Sequence, residues 1–313
     1  MILVIAIGSW LVYHFGFPAP RSPEHFNART SGTPYILFSI FGTSDGKRLW
    51  AVGWGGTILE SDGGEHWNAR DSGTREELCS IFGTSDGKRL WAVGTWGTIR
   101  ESDDGGEHWN ARDSGTREWL LSIFGTSDGK RLWVVGDKGT ILESDDGEHW
   151  KARTSGIFEG LHSIFGTSDG KRLWAVGSGG AILESDDGEH WDARNSGTRD
   201  ELHSIFGTSD GKRLWAASQS GTIRESDDGG EHWDARDSGT PNNLYSIFGA
   251  SDRKRLWAVG TRGTILESDD GGEHWNARTS GTPNNLYSIF GTSDGKRLWV
   301  VGDKGTILEA AVQ

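Results

Sequence analysis

Apolar residues in this chain fall in runs of four to six, each closed by Gly, Asp or Ser, and the runs repeat. Around residue 244 they read LYSIFG (244–249), RLWAVG (255–260), GTILES (263–268) and EHWNAR (273–278), separated by Asp-Gly turns or short polar loops. Such punctuation predicts short strands joined by hairpins. No 11-residue window carries an apolar i, i+3, i+4, i+7 stripe, so helices are not expected. The string Lys-Arg-Leu-Trp recurs with its Trp at 50, 91, 133, 174, 215, 257 and 299. A second marker, Glu-His-Trp, occurs six times, with Trp at 67, 109, 150, 191, 233 and 275. Its seventh copy stands at the other end: residues 24–33 read EHFNARTSGT and residues 273–282 read EHWNARTSGT. The chain thus opens with the last quarter of a unit and closes, at Leu308-Glu309, with the first three quarters. Four strands per roughly 41 residues is the arithmetic of a propeller blade. Pairing segment 24–30 with 305–309 would close a ring and remove an exposed sheet edge. The expected fold is all-β: a single seven-bladed β-propeller over 24–313, four antiparallel strands per blade, its last blade completed by the N-terminal strand.

Composition agrees. Hydrophobic residues make up 34% and there are 48 Gly among 313 residues. Counting Gly, the apolar share is that of a globular chain, and without a three-residue Gly period collagen is excluded. Of the 17 Trp, 13 stand at the two marker positions, where blade core is expected. The net charge of −13, with no basic block, argues against nucleic acid as a partner. The single cysteine, Cys79, rules out an intramolecular disulfide and a cysteine-cluster metal site.

The turn before the fourth strand carries a recognisable pattern. SDDGGEHW at 102–109, 226–233 and 268–275 fits Ser-x-Asp-x-Gly-x-x-Trp, with Ser102, Asp104, Gly106 and Trp109; Ser226, Asp228, Gly230 and Trp233; and Ser268, Asp270, Gly272 and Trp275. Copies at 61–67, 144–150 and 185–191 are one residue shorter. With LWAVG…GTILESDDGG, this repeat resembles the Asp-box (bacterial neuraminidase repeat) propellers, and among them the photosystem II stability and assembly factor group, over nearly all of 24–313. The resemblance implies the fold but leaves function open, because Asp boxes occur in sialidases, sorting receptors, glycosidases and non-catalytic scaffolds. It also implies that the boxes sit away from the binding face. A box Asp reads as a turn device, accepting backbone N–H bonds while the Gly supplies positive φ. No Asp-x-Asp-x-Asp-Gly calcium loop is present. The repeated His (25, 66, 108, 149, 190, 232, 274) come one per blade, and a ring would spread them apart. Neither metal nor cofactor is expected.

A sialidase would need an arginine triad, a Tyr–Glu nucleophile pair and an acid/base Asp. Its Arg-Ile-Pro string is absent, and Arg100 and Arg224, which replace a Leu of the third strand, sit in only two blades. Tyr35, Tyr245 and Tyr287 take near-equivalent positions, which suggests scaffold. P-loop, HExxH and Gly-x-Ser-x-Gly motifs are missing as well. The chain reads as a non-enzyme.

Differences between the blades are more telling. In a four-stranded meander the first and third loops share one end of the sheet; the second loop and the blade-to-blade connection share the other. The first loop is TSDGKR in six units and ASDRKR in one, so that rim, which includes Lys130 and Arg131, is nearly constant. The second loops (Trp54-Gly55, Thr95-Trp96, Asp137-Lys138, Ser178-Gly179, Gln219-Ser220, Thr261-Arg262, Asp303-Lys304) and the connections (PYIL, REEL, REWL, IFEG, RDEL, PNNL, PNNL) hold almost all the variation. This asymmetry predicts a recognition face, with Trp54, Trp96, Trp119, Lys138, Phe158, Arg262 and Lys304 as its contact residues and exposed Trp as anchors. A monomer that binds a protein partner is expected, and the resemblance implies the assembly of a membrane complex as its setting. The alternative is a multivalent lectin with seven similar glycan pockets.

Residues 1–17, MILVIAIGSWLVYHFGF, are apolar apart from Ser9 and His14, and 18–23, PAPRSP, reads as a linker. The length suits an export signal or a marginal membrane anchor. It places the propeller in a periplasm, a lumen or at a cell surface, with a cytoplasmic protein as the alternative and this segment as the only membrane contact.

Overall fold

A computed structural model describes residues 25–252 and 254–311; the segments 1–17 and 18–23 lie outside the described residues. Seven four-stranded antiparallel sheets follow one another round a ring. In blade one the strands are Leu37–Gly42, Arg48–Gly53, Ile58–Asp62 and Asn68–Arg70, running from the axis outwards. Blades two to six repeat this order, and the first strand of blade seven is Leu286–Gly291. Asn27–Arg29 pairs with Ile307–Ala311 in the register Asn27↔Glu309 to Arg29↔Ile307, so the N-terminal strand completes blade seven as expected. Arg29 Nε reaches Glu309 Oε2 at 2.8 Å and latches the closure.

The second strand of each blade is buried along nearly its whole length because it faces neighbouring blades on both sides. The seven Lys-Arg-Leu-Trp indoles are fully buried, and each forms part of the core shared with the next blade: Trp50 packs with Ile81, Leu90 and Trp109 of blade two. The outer marker Trp67, Trp109, Trp191 and Trp233 are buried, Trp150 and Trp275 partly so, and Phe26 fills the same place in blade seven. Near the axis a second ring of bonds joins the blades. Each first-strand Ser accepts the Ile N–H of the following blade, from Ile81 N–H on Ser39 Oγ to Ile40 N–H on Ser288 Oγ (3.3 Å), which closes the circle.

The constant rim is constant because its residues lock the blades together. Arg48 lies over the Trp50 ring at 4.8 Å, donates to Glu60 Oε1 at 2.6 Å and to the carbonyl of Gly105 in blade two at 2.7 Å. Arg70 of the outer strand takes the other oxygen of Glu60 at 2.8 Å. This buried Glu between two Arg recurs in blades two to five and, through Arg29 and Arg297, in blade seven. Arg131 is therefore not the passive surface residue expected: it bridges Glu143 and the Asp187 carbonyl and covers Trp133. Lys130 does stay exposed. Blade six departs from the pattern. In the other turns a Thr hydroxyl donates to the Asp two residues on, as Thr43 does to Asp45 at 2.7 Å. Ala250 lacks that hydroxyl, so Asp252 accepts the N–H and Nε of Arg255 (3.0 and 2.7 Å), and Arg255 turns away from Glu267.

The Asp boxes line this same rim. Asp104 Oδ1 accepts the His108 N–H at 3.0 Å, Ser102 Oγ accepts the Gly106 N–H at 2.8 Å, and Trp109 Nε1 donates to the Gly106 carbonyl. Gly106 has φ 97°, and a Cβ there would sit 2.8 Å from Trp50 Nε1, so both backbone and neighbour demand glycine. The shortened boxes differ among themselves. At 144–150 and 185–191 one Gly is missing, and Asp146 and Asp187 keep their bonds to the His149 and His190 N–H at 2.8 Å. At 61–67 it is an Asp that is missing; Asp62 ends the third strand, and only the Ser61 and Trp67 bonds of the box remain.

Candidate functional site: the variable rim

The second loop of every blade is a single 3-10 turn whose middle residue is left-handed. Glycine holds that position in blades one and four, as Gly55 and Gly179, both at φ 65°. The other five blades place there Trp96 (φ 56°), Lys138 (54°), Ser220 (65°), Arg262 (56°) and Lys304 (54°). A left-handed conformation costs an L-residue about 1–2 kcal/mol, and where a side chain is tolerated Asn or Asp is the usual choice. Stereochemistry alone would thus fill these positions with Gly or Asn. Four of the five non-glycine residues are instead the large or cationic side chains expected to make contacts, each held out from the rim. Arg262 and Lys304 are exposed and form no ion pair; Lys138 meets Glu118 at 3.0 Å.

Among the described residues the large hydrophobic side chains left exposed are Tyr35 (46%), Trp54 (45%), Trp96 (64%), Trp119 (45%) and Phe158 (89%). All five lie on the variable rim, in blades one to three and the connection that enters blade four. Four of them converge. Tyr35, Trp54, Trp96 and Trp119 line one cleft of about 480 Å³, together with Gly55, Thr95, Arg75, Glu76 and Glu77. Tyr35 packs on Trp54 with ring centroids 4.9 Å apart. Thr95 Oγ1 donates to Glu76 Oε2 at 3.2 Å, and the Glu77 N–H donates to Thr95 Oγ1. The sequence points to the Trp residues but not to Glu76, Glu77 or Arg75, which look like ordinary connection charges until the ring brings them beside the indoles. A lectin with one like pocket per blade would need the aromatic walls repeated. Blades five to seven place Gln219-Ser220, Thr261-Arg262 and Asp303-Lys304 in the second loop and RDEL, PNNL and PNNL in the connections, with no aromatic residue in any of them.

Inside this rim, the mouth of the channel is built by a bulge. Register slips in every first strand between the Leu and the Ser, for example Leu37/Ser39 and Leu161/Ser163. The extra residue of a bulge is re-aimed; here it is Phe38, Cys79, Leu121, His162, His203, Tyr245 or Tyr287. Neighbouring rings touch around the mouth: Phe38–Tyr287 at 5.8 Å, Tyr287–Tyr245 and Tyr245–His203 at 5.2 Å, and His203–His162 at 6.0 Å. Tyr245 and Tyr287 are therefore equivalent, whereas Tyr35 belongs to the outer cleft. Burial lowers the affinity of both His162 and His203 for a proton; His162 Nε2 lies 2.9 Å from Ser178 Oγ and from Glu201 Oε1. Burial pushes the Cys79 thiol up to about 12, with Glu77 and Asp137 adding to the effect. Burial likewise raises the Tyr287 phenol to about 12; its hydroxyl donates to Asp303 Oδ1 at 3.0 Å. The opposite mouth is symmetric. Seven Phe, from Phe41 to Phe290, touch in a closed circle at 5.7–6.1 Å and line a cavity of about 480 Å³ with the Gly and Ser beside them.

Other candidates stay apart. Arg100 and Arg224 each donate to a carbonyl of the preceding connection, Gly73 at 2.7 Å and Gly197 at 3.0 Å, three blades from one another. Asp104, Glu107 and His108 lie close enough to share an ion, as do Asp228, Glu231 and His232, but all six are exposed. In both groups the Asp is already committed to the turn: His108 Nδ1 meets Asp104 Oδ2 and His232 Nδ1 meets Asp228 Oδ2, both at 2.6 Å.

The family model described as photosynthesis system II assembly factor YCF48 matches residues 207–311. Two solved structures are similar over nearly the whole ring. One is YCF48 from Cyanidioschyzon merolae, at 22% identity and TM-score 0.74, covering 92% of this chain and 99% of that one. The other is YCF48 bound to D1 peptide, at 23% identity and TM-score 0.76, covering 94% and 97%. No curated protein matches. The resemblance read from the repeat is thus met by both comparisons. Among the described residues no helix is long and apolar enough to cross a membrane.

Proposed function

We propose that this chain is a non-catalytic scaffold that binds a protein partner through its variable rim, in the manner of the photosystem II assembly factors that it resembles. In this reading residues 1–17 take the propeller out of the cytoplasm, as an export signal or as an anchor. The observation that carries it is the confinement of all five exposed large hydrophobic side chains to one rim, beside cationic residues displayed from strained left-handed positions. A similar propeller described as bound to D1 peptide supports a peptide-like partner.

The test is a comparison of two variants in capture from membrane fractions of the native host. Trp54→Ala with Trp96→Ala and Trp119→Ala should lose the captured partner; Lys47→Ala with Lys130→Ala and Lys171→Ala, on the constant rim, should keep it. A buried aromatic anchor is typically worth ~2 kcal/mol or more, about thirtyfold in affinity. Loss in the constant-rim variant alone would reverse the assignment of the face. Protease added to intact spheroplasts should digest the propeller; full protection with cytosolic recovery would reverse the localisation.

A further inference from the structure

The cleft between blades one and three has a composition that selects among ligands. Its rings present faces of negative potential. Glu76 and Glu77 are half-buried at its base, and among the described residues neither forms an ion pair. The single cation on its wall, Arg75, is exposed and likewise unpaired, so it can turn into solvent while the carboxylates cannot. Glu77 also acts inward, adding to the rise of the Cys79 thiol, so its charge is felt within the rim. An anion entering the cleft would meet two carboxylates and four ring faces. A cation would meet the same groups with the sign reversed, in a chain whose net charge is already −13.

Building on the protein-binding reading above, we infer that this cleft takes an arginine or lysine side chain from an extended segment of the partner, sandwiched by Trp54 and Trp96 and paired with Glu76 and Glu77. The rings supply the walls and the carboxylates supply the charge. Left-handed Trp96 is what brings its indole over the opening, since the glycine of blades one and four at that position has no side chain to offer. The rest of the rim suits this arrangement. Arg262 and Lys304, unpaired on blades six and seven, lie across the ring from the acidic cleft, which gives a bound segment a direction: base toward blade two, acid toward blade seven.

The experiment is a selection of phage-displayed random dodecapeptides on the intact propeller, keeping peptides whose binding is lost in Trp54→Ala with Trp96→Ala. That variant must first melt close to the parent; should it not, Trp96→Gly alone replaces it. Retained peptides should share an Arg or Lys. Changing that Arg to citrulline, or Lys to norleucine, should weaken binding at least tenfold, and Glu76→Gln with Glu77→Gln should do the same to the parent peptide. Rim-dependent peptides that lack a base, or that lose less than threefold on its neutralisation, overturn the inference and leave the protein-binding reading in place. Failure to recover any rim-dependent peptide overturns that reading and this inference together; quenching of Trp fluorescence by a methyl-glycoside panel would then mark the cleft as a sugar site.

Discussion

The seven second loops form an internal experiment on backbone strain. Gly55 and Gly179 occupy the same left-handed position as Arg262 and Lys304, and a Cβ built at either glycine meets nothing within 4 Å. Substituting Ala there changes conformational preference and little else. The left-handed penalty is about 1–2 kcal/mol. Removing Gly from the unfolded chain returns roughly 0.4–1 kcal/mol. The net expectation is a loss of about 0.5–1 kcal/mol per site for Gly55→Ala and Gly179→Ala. Arg262→Gly and Lys304→Gly run the same cycle backwards, and neither side chain forms an ion pair whose loss would mask the gain. A chain of this size has an unfolding entropy near 0.6 kcal/mol per degree, at about 2.1 cal/mol/K per residue. The double alanine variant should therefore melt ~2–3 °C lower and the double glycine variant ~2–3 °C higher, measured by scanning calorimetry at one scan rate. Arg262→Ala with Lys304→Ala keeps the Cβ and should not gain. The glycine pair should at the same time weaken partner binding, so stability and function move in opposite directions. If glycine and alanine variants at 262 and 304 melt alike, the strain argument fails, and with it the claim that this rim retains its side chains against stereochemistry.

Three further outcomes follow from particular contacts. In the shortened boxes the backbone N–H and then the imidazole of His149 and His190 hold the Asp146 and Asp187 carboxyls well below their ordinary 3.8, and the same ion pairs raise the two imidazoles above 6.5. The Asp contribution is present above pH 3.8 and fades as pH falls through the lowered value; the His contribution is complete below pH 6.5 and fades as pH rises through the raised one. The parent should thus exceed His149→Gln with His190→Gln most between about pH 4 and 6.5, and thermal melts at pH 2 and pH 9 should show the gap narrowing; a gap constant across pH would refute the pairing. Ala250→Thr with Arg253→Gly gives blade six the turn of the other six, returns Arg255 to Glu267 and should add about 1 kcal/mol, a rise of some 1–2 °C in Tm; no rise would mean that the Asp252 bonds are an equal substitute. Cys79, with its thiol pushed up to about 12, should react with iodoacetamide at pH 8 about a thousandfold more slowly than a free cysteine until the ring is unfolded, as read by mass spectrometry.

Local period and turn chemistry made most of the fold legible in the sequence. Alternation, Asp-Gly turns and the 41-residue spacing name the strands, and the displaced EHFNARTSGT names the closing one, because a strand must pair somewhere and only one edge is open. The two rims were also legible, since a meander sends alternate loops to opposite ends. What neighbours across the ring make of these pieces came only with the folded chain. Glu60 and its equivalents read as the exposed member of an alternating strand, and only the approach of Arg48 and Arg70 from two other strands lets a carboxylate stay buried there. Glu76 and Glu77 became part of a cleft because the connection that carries them is folded between two Trp-bearing loops. Tyr35 parted from Tyr245 and Tyr287 because a bulge, which leaves no mark in residue type, turns one position toward the axis and not its neighbour three residues earlier. The left-handed second loops stayed hidden for a related reason: their usual signal is Gly or Asn, and Trp96, Lys138, Arg262 and Lys304 stand there because surrounding hydrogen bonds impose the turn on whatever residue occupies it.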